Sequence, residues 1–350
     1  MSLKVGIVGL PNVGKSTLFK ALTKKQVVIE NYPFATIEPN VGVVAVPDER
    51  LEAMARVSKS EKIVPTTIEF VDIAGLVAGA HQGEGLGNKF LSHIREVDAI
   101  VEVVRDFVDP NVVHVAGAPD AGRDEAIIAL ELAMADLDTV TKRLERVSGK
   151  AKTGDKTAQH ELAILQKIQA QLNNGVAVRD IPLDEEECAV IKSLALLTQK
   201  PLLIVLNVSE DDPRQRQPNI LAISAKIEAE LAELQPAEAN AYLKELNLAT
   251  SGLDRLIARS YAVLNLITFF TSGPMETRAW TITRGTRAPQ AAGVIHTDFE
   301  KGFIRAEIIP WKKLVDAGGE VAAKEKGWLR LEGKEYAIQD GDVAHFRFSV

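Results

Sequence analysis

The chain is poor in cysteine and in aromatic residues. Cys188 is the only cysteine in 350 residues, and aromatic residues make up 5% of the chain. A single thiol excludes an internal disulfide and a cysteine-rich zinc site, and it fits a reducing compartment. Because 46% of the residues are hydrophobic, the composition also excludes a collagen, a disulfide scaffold and a fully disordered chain.

Long apolar runs and an excess of basic residues are also missing. No stretch of 18 apolar residues occurs, so we expect no membrane span. A strand-like run that begins at Leu3 leaves no room for a signal peptide. The net charge of −7, from 41 basic and 48 acidic residues, excludes an overall basic field for nucleic acid but leaves room for a local basic patch. We therefore expect a soluble cytoplasmic protein of two or three domains.

Short runs of β-branched residues alternate with helical patterns over the first two thirds of the chain. This alternation is typical of an α/β fold, in which helices cover a parallel-rich sheet. The predicted strands are 3–9, 41–46, 67–75, 99–104, 201–207 and 220–224. About 95 residues separate the fourth strand from the fifth, which is too many for one crossover connection. A separate segment is therefore inserted there.

The inserted segment has a helical period. Its apolar positions from Ile127 to Val147, and again from Ala158 to Leu172, are spaced mostly three and four residues apart. We predict two antiparallel helices packed along an a/d seam as a coiled-coil hairpin, with a turn within the sequence SGKAKTGD at 148–155. Two ordinary surface helices lying on the core are the alternative.

The last part of the chain has a different character. After about residue 272, strand-like segments surround one short helical piece near 311–317, which indicates a small α+β module. The predicted strands of this module are 279–283, 303–309, 328–332, 334–338 and 343–350. We place the first, discontinuous domain at 1–121 and 199–271, the helical insertion at 122–198 and the C-terminal module at 272–350.

A glycine-rich motif follows the first predicted strand and opens the first predicted helix. Residues 9–17 are GLPNVGKST, which matches G-x-x-x-x-G-K-[ST]. In this context the backbone N–H groups of the loop surround phosphate oxygens. Lys15 would reach the β- and γ-phosphates, and Ser16 would coordinate Mg²⁺. The predicted phosphate-binding residues are Asn12, Val13, Gly14, Lys15, Ser16 and Thr17.

Two further segments complete a predicted magnesium and γ-phosphate site. Asp72 ends a predicted strand in the sequence DIAG, where a carboxylate can hold Mg²⁺ through water and the N–H of Gly75 can sense the γ-phosphate. Thr36, in NYPFATIEPNVG, lies where a switch threonine would close over the metal. The predicted metal ligands are Ser16, Thr36 and Asp72.

The base-recognition motif departs from that of GTPases. Where they carry N-K-x-D, residues 207–210 are NVSE, so Val208 replaces the lysine and the carboxylate of Glu210 is one methylene longer. Adenine lacks the N2 amine that this carboxylate would read, whereas Asn207 can pair with adenine N6 and N7. The motif favours relaxed or adenine-preferring binding. Ser224 and Ala225 fit the loop that closes on the base.

In combination, these motifs resemble the YchF/Obg-like ATPase family. The resemblance runs from Lys4 to Val350 and includes DIAGLVAGAHQGEGLGNKF at 72–90 and APQAAGVIHTDFEKGFIRAE at 288–307. It implies a P-loop G domain, a helical insertion and a C-terminal ubiquitin-like β-grasp (TGS) domain. It also implies ATP hydrolysis by a GTPase-like protein that associates with ribosomes, particularly the large subunit.

The catalytic group is predicted from the resemblance. Ras-like enzymes place a glutamine after D-x-x-G to orient water, but this chain has Leu76, which cannot hydrogen-bond. The resemblance points to His114 as a mobile catalytic histidine acting beside Lys15, with His81 as the local competitor. Asn12 resembles the P-loop asparagine of K⁺-activated relatives, which suggests K⁺ as a cofactor in addition to Mg²⁺.

We therefore expect a monomeric, ATP-hydrolysing switch that docks on ribosomes in translation or stress response, with GTP left open as a second substrate. A nucleotide-gated RNA-binding adaptor with incidental turnover and a conventional GTPase are the alternatives. A basic cluster around the predicted hairpin tip could touch rRNA or tRNA phosphates, or could be a solvated loop. Its members are Arg143, Arg146, Lys150, Lys152 and Lys156.

Overall fold

The computed structural model describes residues 3–24, 40–73, 86–115, 117–217 and 220–349. Its strands are β1 (Lys4–Val8), β2 (Val41–Ala45), β3 (Lys62–Val64), β4 (Thr67–Asp72), β5 (Ala99–Arg105), β6 (Leu202–Asn207), β7 (Ala222–Ile223), β8 (Leu266–Ser272), β9 (Glu276–Thr283), β10 (Phe303–Pro310), β11 (Arg330–Glu332) and β12 (Asp342–Phe348).

The helices of the described residues are likewise numbered in chain order. They are α1 (Lys15–Lys24), α2 (Glu49–Ser58), α3 (Leu86–Glu96), α4 (Ala121–Lys152), α5 (Lys156–Asn173), α6 (Glu185–Ile191), α7 (Ala225–Leu231), α8 (Pro236–Glu245), α9 (Gly252–Val263), α10 (Ala288–Ile295), α11 (Thr297–Lys301), α12 (Trp311–Ala317) and α13 (Glu320–Glu325). None of these helices is both long and apolar enough to cross a bilayer.

The first sheet has the order β2-β4-β1-β5-β6-β7. β1 pairs in parallel with β4 and β5, and β5 and β6 continue in parallel to β7. The register sets Ile7 opposite both Asp72 and Val101. The α/β fold predicted from the alternating pattern is confirmed. Parallel strands bring their carboxyl ends to one edge, where ligands bind in open α/β sheets.

One carboxyl group is buried within this sheet. Glu102 lies in β5 between Val8 of β1 and Ile204 of β6, and it is 1% exposed. Its Oε1 has no hydrogen-bond partner among the described residues. Burial, reinforced by the like charge of Glu125, raises the pKa of Glu102 to about 8. The folded protein therefore keeps this carboxyl protonated at neutral pH.

The buried carboxyl predicts a pH-dependent effect of Glu102→Gln. The unfolded chain releases the Glu102 proton near its ordinary pKa of 4.5, and the folded chain near 8. The folded state is therefore progressively destabilised by this group as pH rises between those values. Glutamine removes the titration, so we expect the variant to gain a few kcal/mol relative to wild type between pH 5 and pH 8.5. Denaturant titration at both pH values measures this difference, and an equal difference at the two would contradict it.

The inserted segment forms the predicted pair of helices. α4 spans 32 residues and α5 spans 18, and their facing apolar side chains share one core. That core includes Val140, Leu165, Ile168 and residues as far as Leu196. Asp136, which is fully buried on α4, accepts hydrogen bonds from the backbone N–H groups of Leu197 and Thr198. The end of the insertion is thus fixed to the middle of α4.

The turn at the hairpin tip lies within the predicted segment 148–155 and occupies its last residues. α4 continues through Lys152, because alanine and lysine favour helix and one internal glycine is tolerated. The chain reverses over residues 153–155, where Gly154 has a φ of 91°. Asp155 then caps α5 by accepting from the N–H groups of Thr157 and Ala158.

The second sheet has the order β11-β10-β12-β8-β9-β3. β3, from the first fifth of the chain, pairs in parallel with β9 through Lys62 and Glu276. On one face, Leu51 and Met54 of α2 share a core with Phe270 of β8 and Leu314 of α12. The sequence predicted neither the role of β3 nor the strand β8. It also predicted a strand at 334–338, where the structure has a single bridge between Arg287 and Ala337.

The sequence predicted one short helix in the C-terminal module, and the structure has four over residues 288–325. α12 matches the predicted piece near 311–317. α10 was missed because it buries the small side chains of Ala288, Ala291 and Ala292, which produce little amphipathic contrast. α11 and α13, of five and six residues, are too short to show a period.

Contacts between described residues group the chain into two compact units. One comprises 3–24, 40–42 and 69–256, and the other comprises 43–68 and 257–349. The second unit thus includes α2 and β3 together with the C-terminal strands. The division into a G domain, an insertion and a module at 272–350 stays a prediction.

Candidate active site

The loop between β1 and α1 has the backbone shape of an anion site. Asn12 has a φ of 63° and Gly14 a φ of 94°, whereas Val13 between them is not among the residues of positive φ. An alternation of this kind can turn successive N–H groups toward one anion. The carbonyl of Gly14 accepts the first helical hydrogen bond, from Leu18 at 3.0 Å. The N–H groups in the first turn of α1 have no carbonyl acceptor within the helix, so they can donate to an anion at the loop.

Both motif glycines are required by close approaches, and Gly14 is also required by its positive φ. A Cβ on Gly14 would lie 2.1 Å from Nδ2 of Asn207. A Cβ on Gly9 would lie 2.6 Å from the carbonyl oxygen of Val103 in β5. The loop thus packs directly against the neighbouring strands, and a side chain at either position would push it away.

Lys15 and Asp72 form an ion pair at this edge of the sheet. Nζ of Lys15 contacts Oδ1 of Asp72, and the two side chains are 10% and 16% exposed. The carboxylate of Asp72 is therefore paired with the ammonium group of Lys15. Ser16 presents its hydroxyl at the exposed start of α1. A hydroxyl and a carboxylate are the hard oxygen donors that Mg²⁺ prefers, so these residues fit a magnesium ion.

A cavity of about 770 Å³ lies over the loop. Its walls come from the loops that follow β1, β5, β6 and β7, so the sheet topology brings together segments that are distant in sequence. Of the predicted residues, those that line it are Asn12, Gly14, Lys15, Ser16, Thr17, Asn207, Val208, Glu210, Ser224 and Ala225. Val13 is fully buried and does not line the cavity.

Asn207 connects the loop between β1 and α1 to residues 224–225, the segment predicted to close on the base. Its Nδ2 donates to the carbonyl of Val13 at 2.8 Å, and its Oδ1 accepts from the N–H of Ala225 at 3.0 Å. The side chain is buried. The scaffold thus uses one N–H and the carbonyl oxygen of the amide.

The carboxylate of Glu210 is paired at the cavity wall. Nζ of Lys226 lies 2.9 Å from Oε1 of Glu210, and this contact raises the pKa of Lys226. Gln215, which is buried, donates to the carbonyls of Ser209 and Glu210 at 3.1 and 3.0 Å. Its own carbonyl oxygen accepts from the N–H of Ser224. Gln215 therefore links the loop after β6 to the loop after β7.

The loop after β5 is wrapped around a buried arginine. Arg105, at the end of β5, is 1% exposed. Its guanidinium donates to the carbonyls of Phe107, Asp109 and Val112 at 3.1, 3.3 and 3.0 Å. Five donors in a rigid plane suit this arrangement. The loop that forms one wall of the cavity therefore has a fixed internal shape.

His114 lies outside the cavity lining. Its Nε2 is 2.8 Å from Oδ2 of Asp124 in the first turn of α4, and both side chains are almost fully buried. The preceding residue is tied to the phosphate loop, because Nδ2 of Asn12 donates to the carbonyl of Val113 at 3.1 Å. The predicted catalytic role of His114 therefore requires its side chain to leave Asp124, and it stays a prediction.

Four predicted positions lie outside the described residues. They are Thr36, Gly75, Leu76 and His81. Within the described part of the chain, sequence analysis missed the residues that fix the cavity walls, namely Arg105, Gln215 and the pairing role of Lys226. No motif marks them, because each acts through contacts between loops from different strands.

The fold and the site define a P-loop nucleoside-triphosphate-binding protein. A family model described as a 50S ribosome-binding GTPase matches residues 4–131, and a model for the YchF GTPase C-terminal region, described as a protein of unknown function, matches 266–349. The chain belongs to the YchF family.

Relatives that match over their whole length support this assignment. The ribosome-binding ATPase YchF of Bacillus subtilis is 51% identical over 366 aligned residues, and that of Haemophilus influenzae is 53% identical over 363. Each alignment covers all of both chains. The solved structure of the Schizosaccharomyces pombe YchF GTPase is similar with a TM-score of 0.88 and 42% identity, over 99% of this chain and 98% of that one.

Proposed function

We propose that this protein is a ribosome-associated ATPase with a GTPase-like fold, which hydrolyses ATP to ADP and phosphate as a nucleotide-dependent switch. The observation that supports a preference for ATP over GTP is the ion pair between Glu210 and Lys226 at 2.9 Å. A carboxylate whose charge is compensated has less to gain from the paired N–H donors of guanine. The similarity to ribosome-binding ATPases supports the ribosome as partner.

The phosphate end of the site works through exchange of partners. Lys15 would leave Asp72 and take the β- and γ-phosphates. Ser16, Asp72 and Thr36 would hold Mg²⁺. When bound, Mg²⁺ neutralises charge that develops on the transferred phosphoryl group. The N–H groups of residues 12–17 orient the phosphates from the other side. The side-chain oxygen of Asn12 is an available ligand for K⁺, which we propose as a second cation.

Water is positioned by His114 in this proposal, since Leu76 carries no hydrogen-bonding group. An imidazole can accept a proton from the attacking water and contribute 10²- to 10⁴-fold, as an order of magnitude. Gly75 would report the γ-phosphate through its N–H.

The ribosome-facing surface is proposed to be the hairpin tip. Arg146, Lys150, Lys152 and Lys156 are exposed. Arg143 is instead held by Glu161 of α5, with Nε 2.6 Å from Oε1. Cations that form no ion pair with another described residue suit phosphate contacts with rRNA or tRNA on the large subunit. A cytoplasmic monomer fits this role.

Nucleotide titration tests the proposed base preference. We expect ATP to bind the wild-type protein at least as tightly as GTP. The double variant Val208→Lys with Glu210→Asp should shift the ratio toward GTP by about tenfold or more, because a carboxylate at hydrogen-bond distance then reads guanine. Calorimetric titration with each nucleotide and Mg²⁺ gives both dissociation constants, and tighter GTP binding by the wild type would refute the preference.

Two further variants keep this test interpretable. Val208 is 2% exposed, so lysine there carries a folding cost, and Glu210→Asp alone provides a milder form of the same change. Asp211→Asn alters a neighbouring exposed carboxylate that does not line the cavity, and it should leave both affinities unchanged. Melting temperatures of all three identify any general loss of stability.

A further inference from the structure

His114 anchors an otherwise open loop. Among the described residues of 106–120 it is the one classed as buried. The side chain of His114 is 1% exposed, whereas its neighbours Val113 and Val115 are 77% and 55% exposed. Two apolar side chains thus face solvent while an imidazole occupies the interior. This reverses the usual preference of these residue types, so a specific contact must hold the imidazole there.

That contact is the carboxylate of Asp124. Oδ2 of Asp124 is 2.8 Å from Nε2 of His114. Its other oxygen, Oδ1, accepts from Nε and Nη2 of Arg123 at 3.1 and 2.8 Å. Arg123 also donates to the carbonyl of Ala118 at 2.7 Å. The contacts of Arg123 with Oδ1 therefore fix the position of the Asp124 carboxylate.

The chain around His114 connects this contact to the nucleotide cavity. Val112 lines the cavity, and the carbonyl of Val113 accepts from Asn12 of the phosphate loop. On the other side, the N–H of Gly117 bonds to the carbonyl of His114, and Gly117 has a φ of 86° with open space around it. His114 thus lies two residues beyond Val112 of the cavity wall, in a tight turn whose neighbouring side chains are exposed.

The other partner, Asp124, belongs to the long helix of the insertion. α4 is continuous from Ala121 to Lys152, so at 1.5 Å per residue it links Asp124 to the basic tip over about 40 Å. Because α4 is continuous, a partner that displaces the tip also moves the first turn of the helix, which contains Asp124. The buried pair is the point at which such a movement reaches the loop beside the nucleotide.

We propose that Asp124 is a positioning residue, which holds His114 out of the nucleotide cavity until the first turn of α4 moves. Release lets the imidazole turn toward the γ-phosphate side of the cavity, and docking at the tip thereby raises turnover. The proposal rests on the catalytic role of His114 proposed above. In this proposal, a residue of the inserted helix α4 controls the position of the group that acts on the attacking water.

The test is steady-state ATP turnover of Asp124→Ala and Asp124→Asn, with and without ribosomes. Coupling between two sites typically changes an equilibrium by roughly tenfold to a hundredfold. We expect Asp124→Ala to raise kcat without ribosomes about tenfold or more, with the Kd for ATP unchanged. Stimulation by ribosomes should fall by the same factor. Asp124→Asn, which keeps an acceptor without the charge, should lie between.

Three controls separate this mechanism from a merely structural role. Asp138→Asn changes an exposed carboxylate of α4 that pairs with Lys142 at 2.7 Å, and it should leave turnover and stimulation as in wild type. The double variant His114→Ala with Asp124→Ala should be as slow as His114→Ala, because the gain requires the imidazole. If Asp124→Ala does not fold, Arg123→Ala removes the donors that fix Asp124 and should raise turnover in the same direction.

Two outcomes overturn the proposal. If Asp124→Ala falls to the rate of His114→Ala, then Asp124 holds the imidazole in its working position rather than away from it. If turnover and stimulation are unchanged while His114→Ala is slow, the contact has no control over the histidine. Failure of the proposed chemistry is distinguishable from both, because His114→Ala itself would then keep its activity.

Discussion

Replacing His114 with alanine should lower kcat by about 10²- to 10⁴-fold and leave the Kd for ATP within about twofold. The side chain does not line the nucleotide cavity, so ground-state binding does not depend on it. Its loss removes the group that we propose to position water, and Leu76 cannot substitute. Single-turnover release of phosphate measures the chemical step, and nucleotide titration measures binding separately.

A second histidine provides the matched control for this experiment. His160 lies on α5, is about half exposed, and has Glu186 4.0 Å away. His160→Ala removes the same side chain at a distance from the cavity and should leave kcat unchanged. Unaltered turnover in His114→Ala would transfer the role elsewhere, and His81→Ala would then be the next variant to measure.

Reversing the charge of the hairpin tip should weaken ribosome binding about 10²-fold or more at low salt. The change is Lys150→Glu with Lys152→Glu and Lys156→Glu. All three lysines are exposed, and none takes part in an ion pair within the described part of the chain. Each lost phosphate contact also reduces the salt dependence, so the slope of log K against log salt should become shallower. ATP turnover without ribosomes should persist.

Sedimentation with 70S ribosomes and 50S subunits, in ADP or an ATP analogue, measures this effect across salt concentrations. A charge-matched control puts the same reversal on the second unit, with Lys301→Glu, Lys312→Glu and Lys313→Glu, which are also exposed. Equal sedimentation of the tip variant and wild type would exclude the tip as a contact. Loss in the control alone would assign the contact to the second unit instead.

The parallel sheet could be predicted because each of its strands is a local pattern. β-branched runs separated by helical segments specify β1, β4, β5 and β6 without knowledge of their neighbours. β3 could not be recognised in the same way. Three residues, Lys62–Val64, carry too little pattern to stand alone, and their strand partner β9 lies far along the chain. Its existence depends on a pairing that the local sequence does not encode.

The residues of the site divide in the same way, into those that a local motif specifies and those that depend on contacts with distant parts of the chain. Gly14, Lys15 and Ser16 were found because their backbone geometry and chemistry are specified within nine consecutive residues. Arg105 was not, since its function is to satisfy carbonyls of a loop whose path is visible only in the folded chain. Burial of Asp124 against His114 was missed for a related reason. A helix of 32 residues presents acidic side chains on several faces, and sequence alone does not say which one meets a loop.

The pairing of β3 with β9 also determines when the second unit can fold. β9 has β8 and β3 as its neighbours, so a fragment that starts at residue 272 would leave β9 with neither. Leu51 and Met54 are made early, yet their partners Phe270 and Leu314 are made late. During synthesis, this apolar surface must therefore wait until nearly the whole chain has emerged. Growing chains that stall before β8 leave this apolar surface of α2 uncovered, which makes them targets for chaperones and proteases.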